Sequence, residues 1–284
     1  MRLRVAAIQM SSTPQRETNL REAGNLLEEA ARSGAELAAL PENFSFLRGE
    51  GEDVPDPEPP ASFPHGPDGP VTKWLQERAR ALHLWILGGT VPERFSPGSG
   101  EERHYNTSLL LDPEGRVVAR YRKIHLFDVC ISGGPLFEES KTIAPGTDLV
   151  IAPTPLGPAG LTICYDLRFP ELYRALALSG ARILFVPSAF TAHTGKDHWE
   201  PLLRARAIEN QCYVVAPAQV GRHSAHRASH GHAMIVDPWG IVLAQASNRP
   251  AVVMADLDSD RLDEVRRALP ALEHVRKDLF FRNN

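Results

Sequence analysis

The chain has 284 residues, 43% of them hydrophobic, a formal net charge of −4 at pH 7 and three cysteines. That charge gives no electrostatic reason to expect nucleic acid or an anionic membrane surface as a partner, and odd, unpaired cysteines argue against a disulfide framework or a cysteine-based zinc site. With no apolar run approaching the ~18 residues of a membrane span, the expectation is a soluble protein of a reducing, cytoplasmic compartment, folded as one α/β domain over residues 1–284.

Residues 3–9 are an apolar, β-rich run, and after Ser11-Ser12-Thr13-Pro14 the positions Leu20, Ala23, Leu26, Leu27, Ala30 and Ala31 fall at helical spacing. Gly34 ends that helix and residues 36–40 read as a short buried strand, so the chain opens as a β-α-β unit. Glu42 follows at once, and the carboxyl ends of buried strands are where open α/β sheets place their chemistry. Residues 49–70, dense in Pro, Gly and acidic side chains, read as a surface loop placed to flank a site entrance. An amphipathic helix over 71–82 and a buried strand over 84–89 continue the rhythm, and residues 105–111 and 116–122 form a hairpin across Asp112-Pro113-Glu114-Gly115. The second hairpin strand delivers Lys123.

An irregular, polar stretch leads from Lys123 to Ser140, the kind of loop that carries function on a rigid sheet. Strands are predicted over 149–152, 161–163 and 182–186, the last ending in Pro187-Ser188-Ala189-Phe190, with a helix over 171–179. Between them Cys164 stands where an apolar strand breaks into a turn before a helix. Nearby backbone N–H groups would lower its thiol pKa and supply oxyanion donors, although a buried packing cysteine fits that stretch equally well. A helix over 197–209, strands over 212–216, 233–236, 241–246 and 251–255, and an amphipathic segment over 259–269 complete the chain. The histidine-rich run 222–232 sits among arginines without a Cys or carboxylate ligand pattern, so it reads as a polar loop and not as a metal site; Cys130 and Cys212 read as structural.

Glu42, Lys123 and Cys164 thus stand at comparable places, each just past a predicted strand. Alone, either charge would be a solvated strand end; together they form a reactive set. A thiol attacking an amide or nitrile carbon needs a base that takes its proton and returns it to the leaving nitrogen, which Glu42 can do. The oxyanion that forms needs a fixed cation and a backbone N–H, which Lys123 and the N–H of Tyr165 can supply. A papain-like Cys/His pair, a thiol redox sensor and a catalytically silent binding scaffold are competing readings, yet no pattern ties any of the eleven histidines to Cys164.

Pro41-Glu42-Asn43-Phe44, Tyr121-Arg122-Lys123-Ile124-His125-Leu126 and Cys164-Tyr165-Asp166-Leu167-Arg168-Phe169-Pro170-Glu171 resemble the glutamate, lysine and cysteine motifs of the nitrilase superfamily of carbon–nitrogen hydrolases, and the likeness covers nearly the whole chain. The resemblance implies an α-β-β-α sandwich of two stacked mixed sheets flanked by helices, no cofactor, no metal and a small-molecule amide substrate cleaved through a thioester. It also implies a second glutamate after the lysine, for which Glu139 aligns best and Glu138 stays open. Residues 198–215 with Gly221-Arg222-His223 and Val236-Asp237-Pro238-Trp239-Gly240 look most like the deaminated-glutathione amidase branch, with omega-amidase its neighbour. Both branches cleave an α-keto acid amide, so a substrate carboxylate must be recognised; another aliphatic amidase or a carbamoylase of the superfamily is the further alternative. Arg168 is the candidate for that contact, Phe190 is a further substrate-binding candidate, and pairing of Arg168 with an acid such as Asp166 is the alternative. Cys130 departs from the residue that relatives often carry in the loop after the lysine motif. The resemblance further implies a homodimer or small closed oligomer, built from the helix after Cys164 and residues 197–209.

Overall fold

The structure is a computed structural model that describes residues 1–48, 56–59, 69–95, 103–130 and 136–280. Its layers can be read from the first strand, β1 (Arg2–Met10), whose alternate side chains go opposite ways. Leu3, Val5 and Ala7 join one apolar cluster, and Ala6, Ile8 and Met10 join another. That is the two-residue period of a strand covered on both faces. Helices α1 (Arg16–Arg32) and α2 (Pro70–Leu82) press Leu26, Leu27, Leu75 and Ala79 onto the outer cluster.

Between and after these helices come β2 (Leu37–Ala39), β3 (Trp85–Leu87), β4 (Val91–Arg94), β5 (His104–Leu111) and β6 (Val117–Arg122), then a separate small hairpin of β7 (Asp128–Cys130) and β8 (Leu136–Glu138). The second half contributes β9 (Ile151–Ala152), β10 (Ala159–Leu161), α3 (Pro170–Leu178), β11 (Ile183–Phe185), α4 (Ala192–Asn210) and β12 (Tyr213–Ala216). It closes with β13 (Ala218–Arg222), β14 (Ala228–His230), β15 (Met234–Val236), β16 (Val242–Gln245), β17 (Ala251–Asp258), α5 (Ser259–Ala268) and α6 (Lys277–Phe280). One nine-stranded sheet runs β14-β13-β1-β2-β3-β5-β4, with β17 also paired to β1 and β6 to β5; a six-stranded sheet runs β16-β15-β12-β11-β10-β9. The inner cluster joins the two sheets and extends to Leu172, Leu176, Trp199 and Leu203 of α3 and α4. The layers are therefore α-β-β-α.

The structure departs from the sequence-based expectations in several places. β4, β7, β8, β13 and β14 were not predicted, because elements of three to five residues are too short to display a period. Helix α4 starts at Ala192 and not at residue 197, since His193-Thr194-Gly195-Lys196 carries no apolar stripe. Gly195 belongs in that first turn because a Cβ there would lie 2.3 Å from the His230 side chain. The strand expected over 161–163 pairs only to Leu161, but Thr162 N–H donates to Phe185 O (3.1 Å) and Cys164 N–H to Pro187 O (3.0 Å), so the extended path holds up to the cysteine. The polar run 222–232 is two paired strand ends around a turn. Most of the expected 49–70 loop, residues 49–55 and 60–68, lies outside the described residues. Within it Glu58 is buried and accepts hydrogen bonds from Thr72 N–H (3.1 Å) and Thr72 Oγ1 (2.7 Å), a carboxylate set on the positive end of α2.

Candidate active site

Strand direction brings the charged residues together. β2 is parallel to β3, β3 antiparallel to β5 and β5 antiparallel to β6, so β2 and β6 run the same way and release Glu42 and Lys123 on the same side of the sheet. In the other sheet β10 and β11 are parallel, and their exits carry Cys164 and the Ala189-Phe190 segment. Glu42, Lys123, Glu139, Cys164, Tyr165, Arg168 and Phe190 all line one cavity of about 450 Å³, a volume suited to a small metabolite.

Two non-glycine residues at these exits adopt left-handed backbone, Asn43 (φ 60°) and Cys164 (φ 47°). Such conformations cost about 1–3 kcal/mol each and persist where the surroundings over-determine them. Around Asn43 the constraint is visible: its N–H donates to Thr90 Oγ1 (2.9 Å), Gln219 Nε2 donates to the Glu42 carbonyl (3.0 Å), and Gly89 packs so closely that a Cβ would lie 2.1 Å from Pro41 O. Around Cys164 it comes from Asp166, which is fully buried in the 3-10 turn Cys164–Arg168. Its carboxylate accepts from Tyr121 Oη (2.6 Å), Ile163 N–H (2.9 Å), His125 N–H (3.0 Å) and His125 Nδ1 (2.8 Å). Asp166 thereby ties the cysteine turn to the residues on either side of Lys123, and it is not the partner of Arg168. Arg206 of α4 holds the other end of the turn, donating to Leu167 O from Nε (3.1 Å) and Nη2 (2.8 Å).

Lys123 is buried and lies between two carboxylates, with Nζ 3.0 Å from Glu42 Oε1 and 2.9 Å from both oxygens of Glu139. Glu139 also accepts from Phe127 N–H (2.7 Å), whereas Glu138, exposed on the cavity lining, pairs with Lys141 (2.6 Å) and not with Lys123. Glu42 further accepts from Asn106 Nδ2 (2.9 Å) and Ala189 N–H (2.8 Å), and the Cys164 thiol is its neighbour across the cavity. Burial pushes the Glu42 carboxyl up, but the Lys123 charge, the neighbouring Cys164 thiol and the hydrogen bond from Ala189 outweigh it and hold its pKa below the usual carboxylate value. Burial disfavours the Lys123 charge, and the facing charges of Glu139 and Glu42 override it, so the ammonium is held well above its ordinary pKa. Cys164 goes the opposite way from the expectation of a lowered pKa: burial, then the Glu42 charge, push its thiol well up. Its backbone setting is overruled by desolvation and by a carboxylate neighbour. The resting set is thus a thiol beside a carboxylate base, with an ammonium at hand.

Arg168 packs over the Phe190 ring (5.0 Å) and the Tyr165 ring (5.9 Å), with Nη1 3.3 Å from His198 Nδ1. Phe127 meets Tyr165 edge-on (4.9 Å) and also contacts Phe137 (5.0 Å), which makes the adjoining wall aromatic. Sequence reasoning missed Asn106, Asp166 as an anchor, and Arg227, which lines the same cavity from the turn between β13 and β14. Only Asp166 left a signal, as an acid inside the cysteine motif. Two of the four histidines of 222–232 are spent on structure: His223 reaches Ser12 O (3.0 Å) and Ser229 Oγ (3.0 Å), His232 reaches Ala246 O (3.1 Å), and burial first of all lowers His223 to a pKa of about 4. Among the described residues no group of three or more His, Cys, Asp or Glu could hold a metal ion, and no helix is long and apolar enough to cross a membrane.

The carbon–nitrogen hydrolase family model matches residues 4–267. The chain is 48% identical over 272 residues to the deaminated glutathione amidase of Synechocystis sp., covering 95% of this chain and 96% of the relative. It is 46% identical over 278 residues to the Homo sapiens protein of the same name, covering 97% and 83%. Among solved structures, an amidase from Nesterenkonia sp., in a glutamate-to-glutamine mutant showing Michael addition of acrylamide at its active-site cysteine, superposes with a TM-score of 0.72 at 26% identity, covering 94% of this chain and 98% of that one.

Proposed function

This chain belongs to the carbon–nitrogen hydrolase family, and we propose that it is an amidase that cleaves deaminated glutathione through a thioester on Cys164. One observation carries the mechanism: Lys123 bridges Glu42 and Glu139 in the cavity that Cys164 faces. As the sulfur attacks the amide carbon, Glu42 takes the thiol proton and the carbonyl electron pair moves onto oxygen. Lys123 Nζ and the Tyr165 N–H stabilise that oxyanion, and Glu139 keeps the ammonium charged and in place. Collapse breaks the C–N bond while Glu42 passes its proton to the leaving nitrogen. Water, deprotonated by Glu42, then attacks the thioester and releases the acid and the thiol.

Substrate assignment rests on the relatives' names and on Arg168, whose guanidinium faces the cavity above Phe190 and serves the carboxylate of the α-keto acyl portion. The test is kcat/KM for deaminated glutathione against α-ketoglutaramate, with mass spectrometry of quenched turnover seeking an acyl adduct on Cys164. Preference for the first substrate with an adduct is expected; preference for the second would make the protein an omega-amidase, and absence of an adduct would remove the thioester.

The enzyme acts as a cytoplasmic homodimer. Three free cysteines suit a reducing compartment. Ile208 on α4 stands half exposed against Gly240 of the β15–β16 hairpin, which also exposes Trp239, Ile241 and Leu243, apolar surface that a second copy would cover. Light scattering should give twice the chain mass, and Ile208→Glu should halve it.

A further inference from the structure

The turn between β13 and β14 is built to present one side chain. His223 N–H (2.9 Å) and Ser224 N–H (3.2 Å) both donate to the Arg227 carbonyl, and Arg227 N–H donates to Ser224 Oγ (3.1 Å), which closes residues 223–227 into a loop. His223 pins the loop to β1's exit through Ser12 O and to β14 through Ser229 Oγ, and Ser229 bridges Thr191 next to Phe190. The Arg227 side chain, half-buried, comes out on the cavity wall facing the catalytic residues. Burial lowers its pKa, while the charges of Glu42, Glu139 and Cys164 act on it in the opposite sense, which places it near the reacting groups. Among the described residues no side chain hydrogen-bonds or ion-pairs with its guanidinium. A half-buried fork of five donors without an acceptor is stabilised by a carboxylate ligand.

The cavity therefore has two guanidinium groups on separate walls. Arg168 belongs to the cysteine turn and lies over Phe190, on the α4 side; Arg227 comes from the edge of the nine-stranded sheet, toward Glu42. Glu42 must hand a proton to the leaving nitrogen, so the leaving group departs on the side that Arg227 overlooks. We propose that Arg227 forms an anion subsite for a carboxylate on the leaving-group side of the scissile amide, making the enzyme selective for substrates that carry carboxylates on both sides of that bond. This rests on the amidase reading above and deepens it: deaminated glutathione releases cysteinylglycine, which ends in a carboxylate, whereas α-ketoglutaramate releases ammonia and offers Arg227 nothing.

The test compares kcat/KM for deaminated glutathione with that for its C-terminal carboxamide, which differs only in the charge. The native enzyme should favour the acid by about 10- to 100-fold, the worth of a charge-assisted hydrogen bond. Arg227→Gln should bring the ratio to about one, Arg227→Lys should restore part of it, and Arg168→Gln should leave the ratio intact while lowering both rates. A native ratio near one, a ratio that survives Arg227→Gln, or an equal loss on both substrates would overturn the proposal, the last by assigning Arg227 to charge balance at the carboxylates. If the native enzyme turns over neither compound, the amidase reading falls, and the subsite is then judged by binding. Serylglycine, but not its amide, should slow iodoacetamide alkylation of Cys164, and Arg227→Gln should abolish the difference. Equal protection by both, or none, would overturn it.

Discussion

Cys164 and Cys212 are both buried, and burial raises the pKa of both thiols, that of Cys212 to about 11. Cys212 sits just ahead of β12, its sulfur 3.1 Å from both Ala181 O and Asn210 O, and lines no part of the catalytic cavity. Cys164 sits in a left-handed turn and lines that cavity together with Glu42 and Lys123, whose charges both act on its thiol. The difference lies in an adjacent carboxylate, a cation and room for a substrate. Thiol acidity does not separate the two: in the mechanism proposed above, Cys164 is activated at the moment of attack, by transfer of its proton to a base already ionised.

The largest effect should come from exchanging the sulfurs. Cys164→Ala should cost about 10⁴-fold or more in kcat, as removal of a nucleophile does, while Cys212→Ala leaves kcat within about a factor of two and lowers stability by about 1 kcal/mol. Steady-state rates and thermal melts of the two variants check this, and comparable rate losses would erase the contrast.

Next come the groups that set Cys164 apart. Glu42→Gln should lower kcat by about 10²- to 10⁴-fold and slow alkylation of Cys164, and unchanged alkylation would end its role as base. Lys123→Met should cost about 10²- to 10³-fold. It should also move the acid limb of kcat/KM. Glu42 must be ionised, its folded pKa is depressed mainly by the Lys123 charge working against burial, and so activity in the native enzyme falls only as pH drops below the ordinary carboxylate range. Without Lys123 that limb shifts to higher pH. The same depression makes Glu42 a source of stability above its unfolded pKa that is lost as pH falls through the folded one, so acid titration of the native fold should be steeper than that of Glu42→Gln.

A smaller effect tests how Cys164 is held. Asp166→Asn should lower kcat by about 10- to 100-fold with KM little changed, because a misplaced nucleophile loses its attack geometry while the Arg168 and aromatic walls stay. A change confined to KM would remove Asp166 as a positioning residue. The smallest effect is expected at Glu138→Gln, whose side chain pairs with Lys141: rate unchanged and stability within about 0.5 kcal/mol, measured beside Glu139→Gln, which should lose activity.

Much of this was open to sequence reasoning because it depends on local order. β1, α1, α2, β5, β6 and the Asp112–Gly115 turn announce themselves through apolar period and turn residues, and Glu42, Lys123 and Cys164 stand out because each follows an apolar strand. Sequence reasoning favoured Glu139 by the family resemblance but had no local signal to set Glu138 aside. Adjacent residues on β8 and the turn after it differ only in which way they face, and that is decided by Phe127 N–H and Lys123. Arg227 was hidden for a similar reason: a histidine- and arginine-rich stretch says polar loop, and only the pairing of β13 with β14 turns one of its arginines into the cavity.

By itself, the sequence determined the layered α/β class and singled out the three side chains that the fold brings to one cavity, since strand period, turn chemistry and residue type are properties of short stretches. The tertiary structure alone decided the protonation states of those side chains, the anchoring of the cysteine turn by Asp166 and the second arginine of the cavity. Each of these depends on charges and hydrogen-bond partners from strands far apart in the chain, and on a burial that raises the pKa of a thiol which the local backbone would have lowered.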